Sequence, residues 1–128
     1  MAYEILWEPP YGVIKHFSGL VTGKEILAAV EEVGANENLD RLRSLINDFS
    51  NCRSISITDQ ELEEVSAIHS ASFLQNPKIH VAFVATEVDA VSIASAFSRS
   101  PFNSCPTRVF SSIEDARDWL RDCCTSVG

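Results

Sequence analysis

A chain of 128 residues is enough for one domain with a single core and too short for two. Ten Lys and Arg against eighteen Asp and Glu leave a formal charge of −8, a field that repels nucleic acid and anionic membrane surfaces. With 45% hydrophobic and 22% charged residues, apolar runs only as long as a strand and no basic-then-apolar opening, the expectation is a soluble globular protein in the cytoplasm.

Tyr3–Trp7 and Tyr11–Phe17 are β-rich runs separated by Glu8-Pro9-Pro10, and read as a hairpin at a sheet edge. In the second run Val13, Lys15 and Phe17 share one face, while Ile14 and His16 share the other. His16 reads as a half-exposed strand residue rather than a general base. Thr22-Gly23-Lys24-Glu25 is a capping box that opens a helix to about Val33, with Ile26, Leu27, Val30 and Val33 on its buried stripe. Gly34 and Asn36 stop it.

A polar connection over 36–43 leads to a strand at Ser44–Phe49. Asp48 falls at its carboxyl end, where ligands gather in open α/β sheets; the alternative is a carboxylate that accepts from the following loop amides. Residues 51–57 read as a loop rich in Asn and Ser. Thr58-Asp59-Gln60-Glu61 is a second capping box, starting a helix to about Leu74 with Leu62, Val65 and Phe73 on one face and His69 in its middle. A lone His on an apolar face is read as a satisfied core residue ahead of a ligand group. Asn76-Pro77 ends this helix.

Ile79–Thr86 is apolar on both parities, which describes a strand covered on both faces and placed mid-sheet. The helix after it carries no charge between Asp89 and Arg99. Ala90, Ile93, Ala94 and Phe97 form its inner stripe. Val88, Ser92, Ser95, Ala96 and Arg99 mark a candidate interface, with a solvated Ser/Ala face as the alternative. Thr107–Phe110 is the last strand. Ser112 caps a final helix that buries Ile113, Ala116, Trp119, Leu120 and Cys123, with residues from about 123 to 128 as a frayed tail. Cys52, Cys105, Cys123 and Cys124 form no C-x-x-C pair and have no His at zinc spacing, so they read as reduced thiols and no metal is expected. The nucleophile elbow G-x-S-x-G and the phosphate loop G-x-x-x-x-G-K-[ST] are both missing.

The order β-β-α-β-α-β-α-β-α defines a layered α/β domain with a mainly parallel sheet. This pattern resembles the SpoIIAA-like proteins, relatives of the sulfate-transporter and anti-sigma-antagonist (STAS) domain. The resemblance is carried by Asp48-Phe49-Ser50, by the Ile79–Thr86 strand, and by Val109 to Leu120 with its aromatic, cap, acids and Trp-Leu pair. It implies a single SpoIIAA-like domain over 1–128, with a mixed, mostly parallel five-stranded sheet and about four helices. It also implies a non-enzymatic module without cofactor that binds a protein partner, a second copy of itself as a homodimer, or a nonpolar small molecule.

The family's switch serine lies in an Asp-Ser-Ser-Gly-like motif at the start of the second core helix. Here that region reads Arg53 to Asp59 and the motif is missing, so Ser54 and Ser56 are candidate phosphorylation positions by location only. The apolar surplus of Phe49, Ile55, Ile57, Phe73, Leu74 and Phe102 motivates a nonpolar carrier, with Asp48, Phe49, Ile57, His69 and Phe73 as candidate pocket residues. An enzyme built on Asp48 with His69 or His80 is the remaining alternative.

Overall fold

The computed structural model describes residues 3–8, 10–74, 76, 78–100 and 105–125, with Cys124 and Thr125 described by backbone alone. Phe102 and the end of the tail lie outside the described residues.

The expected hairpin is present. β1 (Tyr3–Glu8) runs antiparallel to β2 (Gly12–Thr22), from Tyr3 opposite Phe17 to Glu8 opposite Gly12. β3 (Ser44–Ser56), β4 (His80–Val84) and β5 (Thr107–Phe110) then join in parallel, so the spatial order β1-β2-β3-β4-β5 is the chain order. Three helices link the parallel strands: α1 (Gly23–Gly34), α2 (Asp59–Phe73) and α3 (Val88–Ser98). The last helix, α4 (Ile113–Thr125), follows β5. Right-handed crossovers that always advance in one direction deposit their helices on one face. α1, α2 and α3 therefore share a side, and α4 folds back over the other.

Each face has its own core. Under the three helices, Val13, Phe17, Leu45, Phe49, Val81 and Phe83 of the sheet meet Ile26, Ala29, Val30, Val33, Val65, Phe73, Ala90, Ala94 and Phe97. On the opposite face Ile14, Ile46, Ala82 and Val84 meet Ala116 and Leu120 of α4, flanked by Phe110, Ile113 and Trp119. β4 is thus buried on both faces, as its sequence requires. Its place is one strand in from the β5 edge, and β3 occupies the middle. β3 does not read as the central strand because Asn47 and Asp48 interrupt its apolar run.

Both capping boxes form, with Thr22 and Thr58 accepting from Glu25 and Glu61 amides while each glutamate accepts from the cap backbone. α1 and α2 approach closely at Gly34, where a Cβ would lie 2.5 Å from Ser72 Oγ. The expected polar connection 36–43 holds a short 3-10 turn, Leu39–Arg41. The expected loop at 51–57 is a correction. β3 continues to Ser56 and pairs with the end of β2 in a two-stranded extension. Its register shifts twice, between His16 and Ser18 and between Gly19 and Leu20, and Gly19 takes φ +68 in that stretch. Such bulges break the alternation that marks a strand.

Candidate functional site

One row of side chains across the sheet departs from an ordinary core. Ile5, Lys15, Asn47, Phe83 and Val109 are successive partners from β1 to β5. The odd residues of β2 face the three helices, so Lys15 projects into the interior between Val13 and Phe17. It is 2% exposed, with Asn47 at 7% beside it and His69 of α2 at 3% above. Phe17, Ile26, Val30, Phe49, Val65, Phe83 and Phe97 help to enclose a cavity of about 40 Å³ that all three polar residues line. That volume suits a few water-sized groups.

Burial sets the electrostatics. Lys15 has no hydrogen bond or ion pair to its ammonium among the described residues, and desolvation lowers its pKa to about 7. His69 is pushed down to about 3, first by burial and then by the Lys15 charge, so its imidazole is neutral at physiological pH. Its Nε2 is buried without a partner. The ring is clamped edge-on by Phe73 at 4.1 Å and Phe97 at 4.7 Å. An unpaired buried amine and an unpaired buried imidazole nitrogen in one cavity destabilise a fold, and such groups concentrate where a ligand is held.

A larger hollow adjoins the cavity. Between α2 and α3 runs a cleft of about 680 Å³, lined by Leu62, Ala67, Ala96 and Phe97, with Asp59, Glu63, Ser66 and Ser100 beside them. Leu62 and Phe97 also line the cavity, so they separate the two. A smaller hollow of about 330 Å³ at the start of the same helices shares Ile57, Leu62 and Ile93 with the cavity.

Of the pocket candidates read from sequence, Phe49, Ile57 and His69 line the cavity, and Phe73 supports His69 from behind. Asp48 does not join them. It faces the α4 side, where its Oδ2 lies 2.7 Å from His16 Nδ1 and its Oδ1 accepts from the Ser50 amide at 3.0 Å. Asp48 thus accepts from a following amide, as the alternative reading has it, and the histidine beside it is His16 rather than His69 or His80. His80 instead stacks edge-on with Trp119 at 5.8 Å. Lys15 and Asn47 are not among the site residues that the sequence suggests. A lysine between the core positions Val13 and Phe17 is the signal that marks the first of them.

On α3, Val88, Ser92, Ala96 and Arg99 are exposed and Ser95 is half-buried. Ser56 is exposed and Ser54 half-buried, at the end of β3. Cys52 and Cys105 are buried. No cluster of His, Cys, Asp or Glu suited to a metal is present among the described residues, nor is any helix there long and apolar enough to cross a membrane.

A mixed five-stranded sheet with three helices on one face and one on the other is the SpoIIAA-like fold. Solved structures of other proteins share it. One is the anti-sigma factor antagonist SpoIIAA in its unphosphorylated form, with a TM-score of 0.61 and 10% identity over 94% of this chain and 98% of that one. Another is an uncharacterised DUF3478 protein with a SpoIIAA-like fold from Shewanella loihica PV-4, with a TM-score of 0.52 and 16% identity over 93% and 92%. No protein-family model and no curated protein matches the chain. Identities this low define the fold and leave the activity to be argued from the site.

Proposed function

We propose that this chain is a non-enzymatic binding module that carries a small molecule with a nonpolar body in the cleft between α2 and α3. The observation that supports this reading is an apolar cleft adjoining, across Leu62 and Phe97, an interior cavity lined by the polar groups of Lys15, Asn47 and His69. That combination is the usual anatomy of a small-molecule site. Among the described residues that line the cavity, no Ser, Thr, Cys or carboxylate stands beside Lys15 to act with it, which favours binding over turnover. Native mass spectrometry of the purified protein is expected to show a co-purified adduct, or saturable binding of a fluorescent fatty acid. Failure of both removes the carrier reading.

A second reading rests on a different surface. Val88 is 78% exposed at the start of α3, beside the exposed Ser92, Ala96 and Arg99. A large apolar side chain on a charge-poor face favours a protein partner or a second copy. SpoIIAA is an anti-sigma factor antagonist described in an unphosphorylated form. The exposed Ser56, and Ser54 beside it, are the positions at which this chain would carry a comparable modification. Self-association predicts a light-scattering mass near twice 14.1 kDa. A monomer at high concentration, with no change on Val88→Arg, counts against it.

A further inference from the structure

We infer that Lys15 and Asn47 form the head-group site for a monocarboxylic acid whose apolar body lies past Leu62 and Phe97 in the cleft between α2 and α3. This inference rests on the carrier reading above and adds the chemical class of the ligand. Three features of the cavity point to a carboxylate. Among the described residues Lys15 is the one cation lining it, it is 2% exposed, and no carboxylate lines the cavity to neutralise it. Asn47, its direct partner across the β2–β3 ladder, has an amide with no hydrogen bond of its own among the described residues. His69 Nε2 is aimed into buried space without a partner. A carboxylate offers two acceptor oxygens, which an ammonium and an amide N–H₂ can both fill. Either tautomer of His69 completes the set: as N–H it donates to the second oxygen, and as a lone pair it accepts from the ammonium.

Size supports the same division. About 40 Å³ accommodates a head group and not a body, whereas the adjoining cleft of about 680 Å³ accommodates an alkyl or aryl body. The walls between them are the flexible side chain of Leu62 and the ring of Phe97. Burial of an unpaired ammonium is costly, and a ligand carboxylate offsets that cost only in the bound state.

Binding then couples to protonation. With the empty-site amine titrating at about 7, a carboxylate requires the ammonium form, so affinity falls as pH rises above that value. The titratable group facing Lys15 is His69 from α2, already neutral; α1 presents Ile26 and Val30, and α3 presents Ile93 and Phe97.

The test uses octanoate and octan-1-ol as probes, with calorimetry on the full chain. Octanoate is expected to bind at pH 6.5, to weaken about tenfold for each pH unit between 7.5 and 9.5, and to bind at least ten times more tightly than octanol. Lys15→Met, a folded control by circular dichroism, is expected to lose at least tenfold for octanoate and to keep its octanol affinity. Leu62→Trp, which blocks the passage without touching the amine, is expected to weaken both. Equal affinity for octanoate and octanol, or an unchanged octanoate affinity in Lys15→Met, overturns the head-group assignment and leaves the carrier reading standing. Absence of binding by both probes overturns the carrier reading and this inference with it.

Discussion

Lys15 and Asn47 face each other across the parallel β2–β3 ladder, inside a core that on that side is apolar around them and His69. The pairing places an ammonium on a side chain that is 2% exposed, and its stability cost is set by pH. In the unfolded chain Lys15 has its ordinary value of 10.5; in the fold it titrates at about 7. Between those values the unfolded chain holds a proton the folded chain lacks, so stability rises with pH at up to about 1.4 kcal/mol per unit. Below pH 7 both states are charged and the full penalty stands. Lys15→Met is therefore expected to raise stability by about 2–4 kcal/mol at pH 6. Against wild type, that gain should shrink steadily toward pH 10. Urea unfolding of both proteins at pH 6, 8 and 10 measures it, and a constant offset would remove the buried-charge explanation.

The sequence made the layers legible because helix and strand periods are local signals. Both Thr-x-x-Glu boxes, the apolar parity of β4 and the stripe of α4 identify their elements without help from distant residues. The extension of β3 to Ser56 was not legible. Two register shifts remove its alternation, and Asn51, Arg53 and Ser54 carry the composition of a loop. The site was legible in part. His69 stood out as a polar residue on an apolar helix face, and Phe49 and Ile57 as unassigned apolar surplus. What joins them to Lys15 and Asn47 is the pairing of β2 with β3 across a helical crossover, a contact that no spacing along the chain announces. Asp48 illustrates the converse: one residue from Asn47, the pleat sends it to the other face.

Asp48 predicts a stability effect on the α4 face. Its side chain is 7% exposed and is held by His16 at 2.7 Å and the Ser50 amide at 3.0 Å, next to the first register shift. Asp48→Ala deprives that amide of its acceptor and should cost about 1–3 kcal/mol in urea unfolding. Since Asp48 lies across the sheet from the cavity, octanoate affinity measured on the folded variant is expected to stay within about twofold of wild type. A tenfold loss of affinity would show that the two faces are coupled.

Asn76 should be more sensitive than its place between helix and strand implies. It is 4% exposed, and its Nδ2 donates to the carbonyls of Leu39 at 2.9 Å and Leu42 at 2.8 Å, while its Oδ1 accepts from the Lys78 amide at 3.2 Å. One side chain thus ties the approach to β4 to the 3-10 turn ahead of β3. Asn76→Ala leaves two carbonyls without that donor and is expected to cost about 2–3 kcal/mol. Asn76→Asp keeps the shape but replaces the donor by an acceptor facing two carbonyls, and should cost at least as much. Thermal melts that rank the aspartate variant near wild type would contradict the donor role.

His69 predicts the acid limb of stability. Its folded value of about 3 lies below the 6.5 of an unperturbed imidazole, with burial as the larger cause and the Lys15 charge as the smaller. Between pH 6.5 and 3 the unfolded chain takes up a proton that the folded chain refuses, so this residue's contribution is intact above pH 6.5 and is lost as pH falls. The slope approaches about 1.4 kcal/mol per unit within that window. His69→Phe retains a ring against Phe73 and Phe97, removes the buried Nε2 that has no partner, and cannot titrate. At pH 7.5 the variant should lie within about 1 kcal/mol of wild type or above it, since an unsatisfied polar atom is exchanged for a carbon. From pH 6 to 4.5 its advantage should grow by about 1–2 kcal/mol. The difference between the two urea-unfolding curves isolates this residue from Asp48 and the other carboxylates, which titrate in both proteins alike. Curves that stay parallel down to pH 4.5 would mean that His69 is not held neutral inside the cavity.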